Sequence, residues 1–148
     1  MNKLDVPPAW LVLFLAATWG LARLVPALTI EFTRQGTAAL IILLAGFALA
    51  ALAVKEMRGA STPIQPRTDP TALVTSGIFR RTRNPMYLSL LLFLAAAIIW
   101  AGSILALPLL WLFLRVISQR FIVDEEAKLR EEFGQDFDEW AGQTGRWI

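Results

Sequence analysis

Ala38-Ala39-Leu40-Ile41-Ile42-Leu43-Leu44-Ala45-Gly46-Phe47-Ala48-Leu49-Ala50-Ala51-Leu52-Ala53-Val54 runs without a charged side chain and is closed by Lys55-Glu56. At a rise of 1.5 Å per residue this stretch is just long enough to cross roughly 30 Å of hydrocarbon. Within a bilayer a helix is the element that satisfies all its backbone donors and acceptors in one segment. The expected class is therefore an integral membrane protein. Composition agrees: of 148 residues, 56% are hydrophobic and 18% charged, and the mean hydropathy is +0.55.

Working outward, a first span is expected at about residues 8–28 and a second at 37–54. Two further apolar runs, separated by Ala101-Gly102-Ser103, read as a helical hairpin with spans at 85–101 and 103–123. The fold class is all-α: a single-domain integral membrane bundle of about four transmembrane helices, with short cytoplasmic helices at the C-terminal end. The first apolar stretch exceeds normal signal-peptide length and lacks a small-x-small cleavage site, so it is expected to stay in the mature protein.

The loop 55–84 carries Lys55, Arg58, Arg67, Arg80, Arg81 and Arg83 against Glu56 and Asp69. This excess of positive charge predicts a cytoplasmic loop, in what reads as a bacterial inner membrane protein. With an even number of spans, both termini, including Lys3 and the tail 124–148, fall on the same side. Trp10, Trp19, Trp100 and Trp111 sit near span ends, as interfacial anchors do.

The chain has no cysteine and no histidine, which removes disulfides, thiolate metal sites, a catalytic thiol and the commonest general base. No metal is expected. Chemistry has to run on carboxylates, Arg, Tyr, backbone groups or a bound cofactor. The net charge of +2 hides an uneven distribution, since residues 124–139 hold eight of the twelve acids. The basic residues flank membrane spans and are accounted for by orientation and anionic headgroups, so no nucleic-acid partner is expected. No obligate protein partner is inferred.

Residues 61–70, rich in Pro and polar side chains, read as an extended connector. Leu73-Val74-Thr75-Ser76-Gly77-Ile78-Phe79 follows, with Gly77 suited to a positive-φ turn. Asn84-Pro85 is a helix-start signal in which Asn caps the free N–H groups and Pro takes the first position, giving a helix N-terminus suited to an anion. Past the hairpin, the last helix is expected to continue through Glu125-Glu126 to Leu129 and Phe133, with Gly134 as its stop. A second short helix would carry Phe137, Trp140 and Ala141, and Arg146-Trp147-Ile148 suits an interfacial anchor.

On a straight helix at 100° per residue, Gln119, Ile122 and Glu126 stay within about 40° of Arg115, which predicts a polar seam entering the bilayer. Arg115 and Arg120 either bind an anionic substrate or snorkel to headgroups.

The ordered set 73–79, Arg83-Asn84-Pro85-Met86-Tyr87-Leu88, Glu125-Glu126, Leu129, Phe133-Gly134, Phe137 and Arg146-Trp147-Ile148 resembles a family of membrane methyltransferases. That family includes isoprenylcysteine carboxyl methyltransferase and the phospholipid N-methyltransferases, and the resemblance spans residues 66–148. It implies S-adenosylmethionine as cofactor. By position, Thr71, Ala72, Leu73 and Val74 would line the adenosine side, Phe79 would pack on the cofactor, and Asn84, Pro85, Met86 and Tyr87 would cradle it. Glu125 would bind the cofactor amino group beside Glu126. Family members commonly carry His at the position of Asn84 and Tyr at that of Phe79. In eukaryotic members an Arg stands one turn before the Glu; here that position is Phe121, and Arg120 is the nearest candidate. Arg120 and Glu125 are thus the candidate catalytic residues, and Arg115 and Arg120 the candidate substrate-binding ones.

The function implied is methyl transfer to a lipophilic acceptor at the membrane–cytoplasm interface, isoprenylcysteine carboxyl methyltransferase-like or on a phospholipid nitrogen. The rival from another class is a small helical transporter or structural subunit. A proton-coupled exporter is expected to bury an acid in mid-span, whereas Glu31 lies at a span end and the other acids in loops or tail.

Overall fold

The computed structural model describes residues 5–64 and 68–148. Lys3, expected on the inner side, and Pro66 and Arg67 of the connector lie outside the described residues. Five helices carry the fold: α1 Pro7–Leu24, α2 Gln35–Gly59, α3 Pro85–Ala101, α4 Leu107–Ile117 and α5 Val123–Gln143. A π-helical turn, Ser118–Ile122, joins α4 to α5 without a break. Among the described residues there is no strand, and one isolated bridge pairs Thr29 with Ser103.

Pro7–Leu24, Gln35–Gly59 and the stretch Ile104–Gln143 are long and apolar enough to cross a membrane, and Pro85–Ala101 is a shorter apolar helix of 17 residues. The bundle is apolar on its outside. Val12 and Leu13 of α1, Leu40, Ile41, Leu44 and Phe47 of α2, and Trp111 and Leu112 of α4 are all exposed, a surface that lipid rather than water accommodates.

Inside, small residues set the packing distance. The buried residues of α2 are Ala39, Gly46 and Ala53, seven apart and so on one face. Gly46 lies against Phe93 and Leu92 of α3, so closely that a Cβ there would collide with the Phe93 ring. This is the small-residue contact that lets membrane helices approach without a hydrophobic driving force. A second layer packs α1 on α3 and α4. Phe14 meets Phe113 edge-on at 5.2 Å, and Leu94, Ile98, Ile117, Phe121 and Ile122 fill the space around them.

The hairpin turn is fixed from α2. Gln35, the first residue of α2, donates its side-chain amide to the carbonyls of Ile99 and Trp100 at 2.8 and 2.9 Å, satisfying orphan acceptors at the end of α3. Gly102 turns the chain in the left-handed region at φ 63°, and its carbonyl accepts the N–H of Ile30 at 2.8 Å.

Two local expectations are corrected. Asn84 precedes α3, but its side chain caps nothing in the helix; its amide Nδ2 donates instead to the carbonyl of Arg146 at 3.0 Å. The polar seam along α4 and α5 does not hold, because the π turn inserts extra residues per turn and rotates everything beyond it. Arg115 and Gln119 are exposed while Ile122 and Glu126 are buried. Gly134 does stop the first helical stretch of α5, with non-helical φ 52° and ψ −120°, and a second stretch carrying Phe137, Trp140 and Ala141 runs on to Gln143.

Candidate functional site

A cavity of about 400 Å³ opens where the start of α3, the first turns of α5, the segment before Gly77 and the start of α1 converge. Its walls join two apolar clusters. One is the main core, which reaches it through Tyr87 and Leu90; the other groups Ala53, Val74 and Phe79 with Met57, Met86 and Trp140. Phe79 is seated by its neighbours, and its carbonyl accepts the indole N–H of Trp140 at 3.2 Å.

Of the residues singled out in the sequence, Ala72, Leu73, Val74, Phe79, Asn84, Pro85, Met86, Tyr87, Glu125 and Glu126 all line this cavity. Thr71 lies beside it and is used in the loop: its hydroxyl donates to the Ser61 carbonyl at 2.9 Å, and its N–H to the Thr62 hydroxyl at 3.3 Å. Arg115 and Arg120 are not among the lining residues. Arg115 lies over the Trp111 ring at 5.7 Å. Arg120 donates to Asp5 at 2.9 Å and stacks 5.0 Å above the ring of Trp10, whose indole N–H also donates to Asp5 at 3.0 Å. That three-way contact ties the start of α1 to the π turn.

The two neighbouring carboxylates have different environments. Glu125, half-buried, accepts the Tyr87 hydroxyl at 2.5 Å. Glu126, buried, is gripped by Arg146, with Nε on Oε1 at 3.0 Å and Nη2 on Oε2 at 2.5 Å, and by Arg83 at 3.4 Å. Such a two-bonded guanidinium–carboxylate pair combines charge and fixed geometry. The Glu126 carboxylate holds the Arg146 proton more tightly than usual, chiefly through the hydrogen bond and against a smaller opposing effect of burial. The tail is further laced to the α3 start, as Arg83 N–H donates to the Gly145 carbonyl at 3.0 Å and the Thr82 hydroxyl to that of Arg146 at 3.4 Å.

On the other wall, Lys128 of α5 reaches Asp69 at 2.8 Å, and this hydrogen bond, reinforced by the ammonium charge, lowers the Asp69 pKa from its ordinary value. Among the described residues no cluster of acids is arranged to hold a metal ion.

Sequence reasoning missed several participants. Pro7, Pro8, Met57, Leu90, Lys128 and Trp140 line the cavity, and nothing in their local spacing marks them, since they arrive from four different helices. For Arg83 and Arg146 a signal existed: buried carboxylates need cationic partners, and both arginines stood in the quoted motifs.

The sequence pattern of one family, the phospholipid methyltransferases, matches residues 35–136, from the start of α2 to just beyond the Gly134 kink. The chain belongs to the phospholipid methyltransferase family. It is therefore a membrane methyltransferase in the general sense of that family, with α1 and residues 137–148 outside the matched region. A protein of Haemophilus influenzae (strain ATCC 51907 / DSM 11121 / KW20 / Rd), described as uncharacterized, is 40% identical over 63 residues, 43% of this chain and 100% of that protein. No solved structure matches.

Proposed function

We propose that the protein transfers a methyl group from S-adenosylmethionine to a lipophilic acceptor that enters the cavity from the bilayer, with loop 55–84 and both termini in the cytoplasm. The observation that carries this reading is the gathering of Leu73, Val74, Phe79, Asn84, Tyr87 and Glu125 around one apolar-walled cavity at the start of α3. Its volume falls at the smaller end of the range of about 300–1,000 Å³ found for small-molecule sites.

The residues present suit such a cofactor. Apolar walls at Leu73, Val74 and Phe79 offer a surface for the adenine, Glu125 an acceptor for the amino group, and the α3 N-terminus a favourable field for the carboxylate. S-adenosylmethionine, when bound, supplies an electrophilic methyl group on a sulfonium. The chain contributes alignment and exclusion of water: the apolar walls keep the site dry, and the Tyr87 hydroxyl fixes the orientation of the Glu125 carboxylate. A carboxylate or thiolate acceptor needs no general base, whereas an ammonium headgroup has to lose a proton first. The family's description favours phospholipid N-methylation as the second reading.

Incubation of purified protein with isotope-labelled S-adenosylmethionine and a membrane lipid extract, followed by mass spectrometry, tests both. A labelled lipid whose methyl group sits on oxygen or sulfur supports the first reading, and one labelled on headgroup nitrogen the second. No labelled product, together with no saturable binding of S-adenosylhomocysteine by calorimetry in detergent with chelator present, would overturn the proposal.

A further inference from the structure

The short 3-10 turn Gly77–Arg80 holds two guanidinium groups on a fixed mount outside the cavity. Gly77 enters it at φ 55°, in the left-handed region. Phe79 points inward and packs with Ala53 and Val74, while the N–H of Phe79 donates to the Ser76 carbonyl and that of Arg81 to the Ile78 carbonyl, each at 3.0 Å. With Phe79 as the anchor, Arg80 and Arg81 are left exposed. Together with Gly77 they line a shallow, open cleft of their own.

Among the described residues neither arginine forms an ion pair, and the acids around them are engaged elsewhere. Glu56, whose carboxylate lies against Gly77, accepts the Ser76 hydroxyl at 2.5 Å. Asp69 is held by Lys128, and Glu126 by Arg83 and Arg146. Lys55 and Arg58, on either side of Glu56 at the end of α2, are also exposed and outside any ion pair among the described residues. The cleft therefore sits between the end of α2 and the start of α3, where the exposed Lys55, Arg58, Arg80 and Arg81 outnumber the Glu56 carboxylate beside Gly77.

We propose that Arg80 and Arg81 bind the phosphate of an anionic membrane lipid at the bilayer surface, at a site separate from the cavity. A planar guanidinium matches phosphate oxygens bidentately, and two on a fixed turn make a position rather than a diffuse attraction. Each basic residue close to an anionic surface strengthens association by about five-fold. A soluble phosphate shares the headgroup chemistry. What favours the lipid is the exposed Leu52, one turn before Glu56 on α2, whose carboxylate lies against Gly77: the helix that borders the cleft presents an apolar side chain to the bilayer just above it. The proposal rests on the membrane placement of α2 and α3 and not on the methyl-transfer reading, and its test contains no cofactor.

Detergent-solubilised protein is titrated with short-chain phosphatidylglycerol, short-chain phosphatidylcholine and inorganic phosphate, and binding is read by native mass spectrometry and calorimetry. Phosphatidylglycerol is expected to bind in preference to phosphatidylcholine and to weaken with salt. Arg80→Gln with Arg81→Gln should reduce its affinity roughly thirty-fold, while Arg130→Gln, which removes an arginine paired to Asp138 in the tail, should leave it unchanged. If the double variant fails to fold, Arg81→Gln alone should cost about five-fold. Equal binding of the two lipids, or an affinity indifferent to both arginines, would overturn the site. Inorganic phosphate binding as tightly as the lipid would overturn its assignment to a lipid.

Discussion

Glu126 and Arg146 stand twenty residues apart in sequence and form a two-bonded charged pair behind the cavity wall, closed on its other side by Arg83. Through it the last residues of the chain are fastened to the start of α5 and, by the Asn84 and Thr82 bonds to the Arg146 carbonyl, to the start of α3. One carboxylate of the Glu125-Glu126 pair is thereby committed to holding the site together, which leaves the other to face Tyr87.

Arg146→Ala should cost about 2 kcal/mol of folded stability. That is less than the 3–5 kcal/mol of breaking a fully buried pair, because Arg83 remains and the Arg146 side chain is 39% exposed. Arg146→Lys should recover only part, since a point charge cannot reproduce the bidentate fork. The pKa of Arg146 is raised in the folded state, so its contribution is fully present below the ordinary guanidinium value and is lost only as pH rises through the still higher folded value. Thermal unfolding in detergent should therefore show a deficit of Arg146→Ala that the Arg146 titration leaves unchanged between neutral and mildly alkaline pH.

Gly102→Ala should destabilise the hairpin by about 1–3 kcal/mol. Gly102 has φ 63°, and a Cβ on it would strike the Ile30 carbonyl oxygen, which is backbone and cannot rotate away. Gly20→Ala, where nothing lies within 4 Å, is the control and should be neutral or mildly stabilising.

The tether between Asp69 and Lys128 gives a pH dependence of opposite sign. The folded-state pKa of Asp69 is depressed, so the contact is present above the ordinary value of 3.8 and is lost as pH falls through the folded value. Asp69→Asn should accelerate amide exchange at residues 71–74 at neutral pH, and the wild-type protein should approach that rate only in strong acid. Because Asp69 is exposed, the unfolding temperature should stay unchanged.

Long uncharged apolar runs made the helical bundle legible, because a bilayer imposes them and a sequence cannot conceal them. Short-range signals also served. Gly102 and Gly77 were both readable as turns, and Pro85 does begin α3. What escaped reading depended on tertiary context. Asn84 has the chemistry of a cap, yet the Arg146 carbonyl competes for its side chain, and nothing near Asn84 in sequence announces a partner 62 residues away. The π turn Ser118–Ile122 carries no composition signal, and one such turn is enough to rotate Glu126 away from Arg115 and undo a seam computed on a straight helix. Ten of the residues lining the cavity, among them Phe79, Asn84, Tyr87 and Glu125, were singled out by their order along the chain. Pro7, Pro8 and Trp140 were not, since only packing brings them there.

The orientation is tested with single cysteines in this cysteine-free chain. If Lys55, Arg58, Arg80 and Arg81 hold loop 55–84 in the cytoplasm, Thr68→Cys and Gly142→Cys should react with a membrane-impermeant maleimide only after the cells are opened. Thr33→Cys, between α1 and α2, should react in intact cells. Labelling of Thr68→Cys from outside would reverse the orientation and place the cavity mouth on the other face.

The division of labour between the two adjacent glutamates yields the sharpest test. Glu125→Gln keeps the volume and the helix while removing the charge that faces Tyr87, so it should weaken S-adenosylhomocysteine binding by roughly ten-fold to over a hundred-fold, the equivalent of one charge-assisted hydrogen bond of about 1.5–3 kcal/mol, with little change in unfolding temperature. Glu126→Gln should do the reverse first: it leaves Arg83 and Arg146 side by side without their carboxylate, so folded yield and unfolding temperature fall before any effect on ligand binding is resolved. Glu131→Gln, on an exposed part of α5, should change neither. Tyr87→Phe separates orientation from charge, because it leaves the Glu125 carboxylate in place and removes the hydroxyl that aims it; a smaller loss of binding than in Glu125→Gln is expected. If Glu125→Gln and Glu131→Gln bind alike, Glu125 is an ordinary helix-surface carboxylate and the assignment of the cavity to the cofactor loses its central contact.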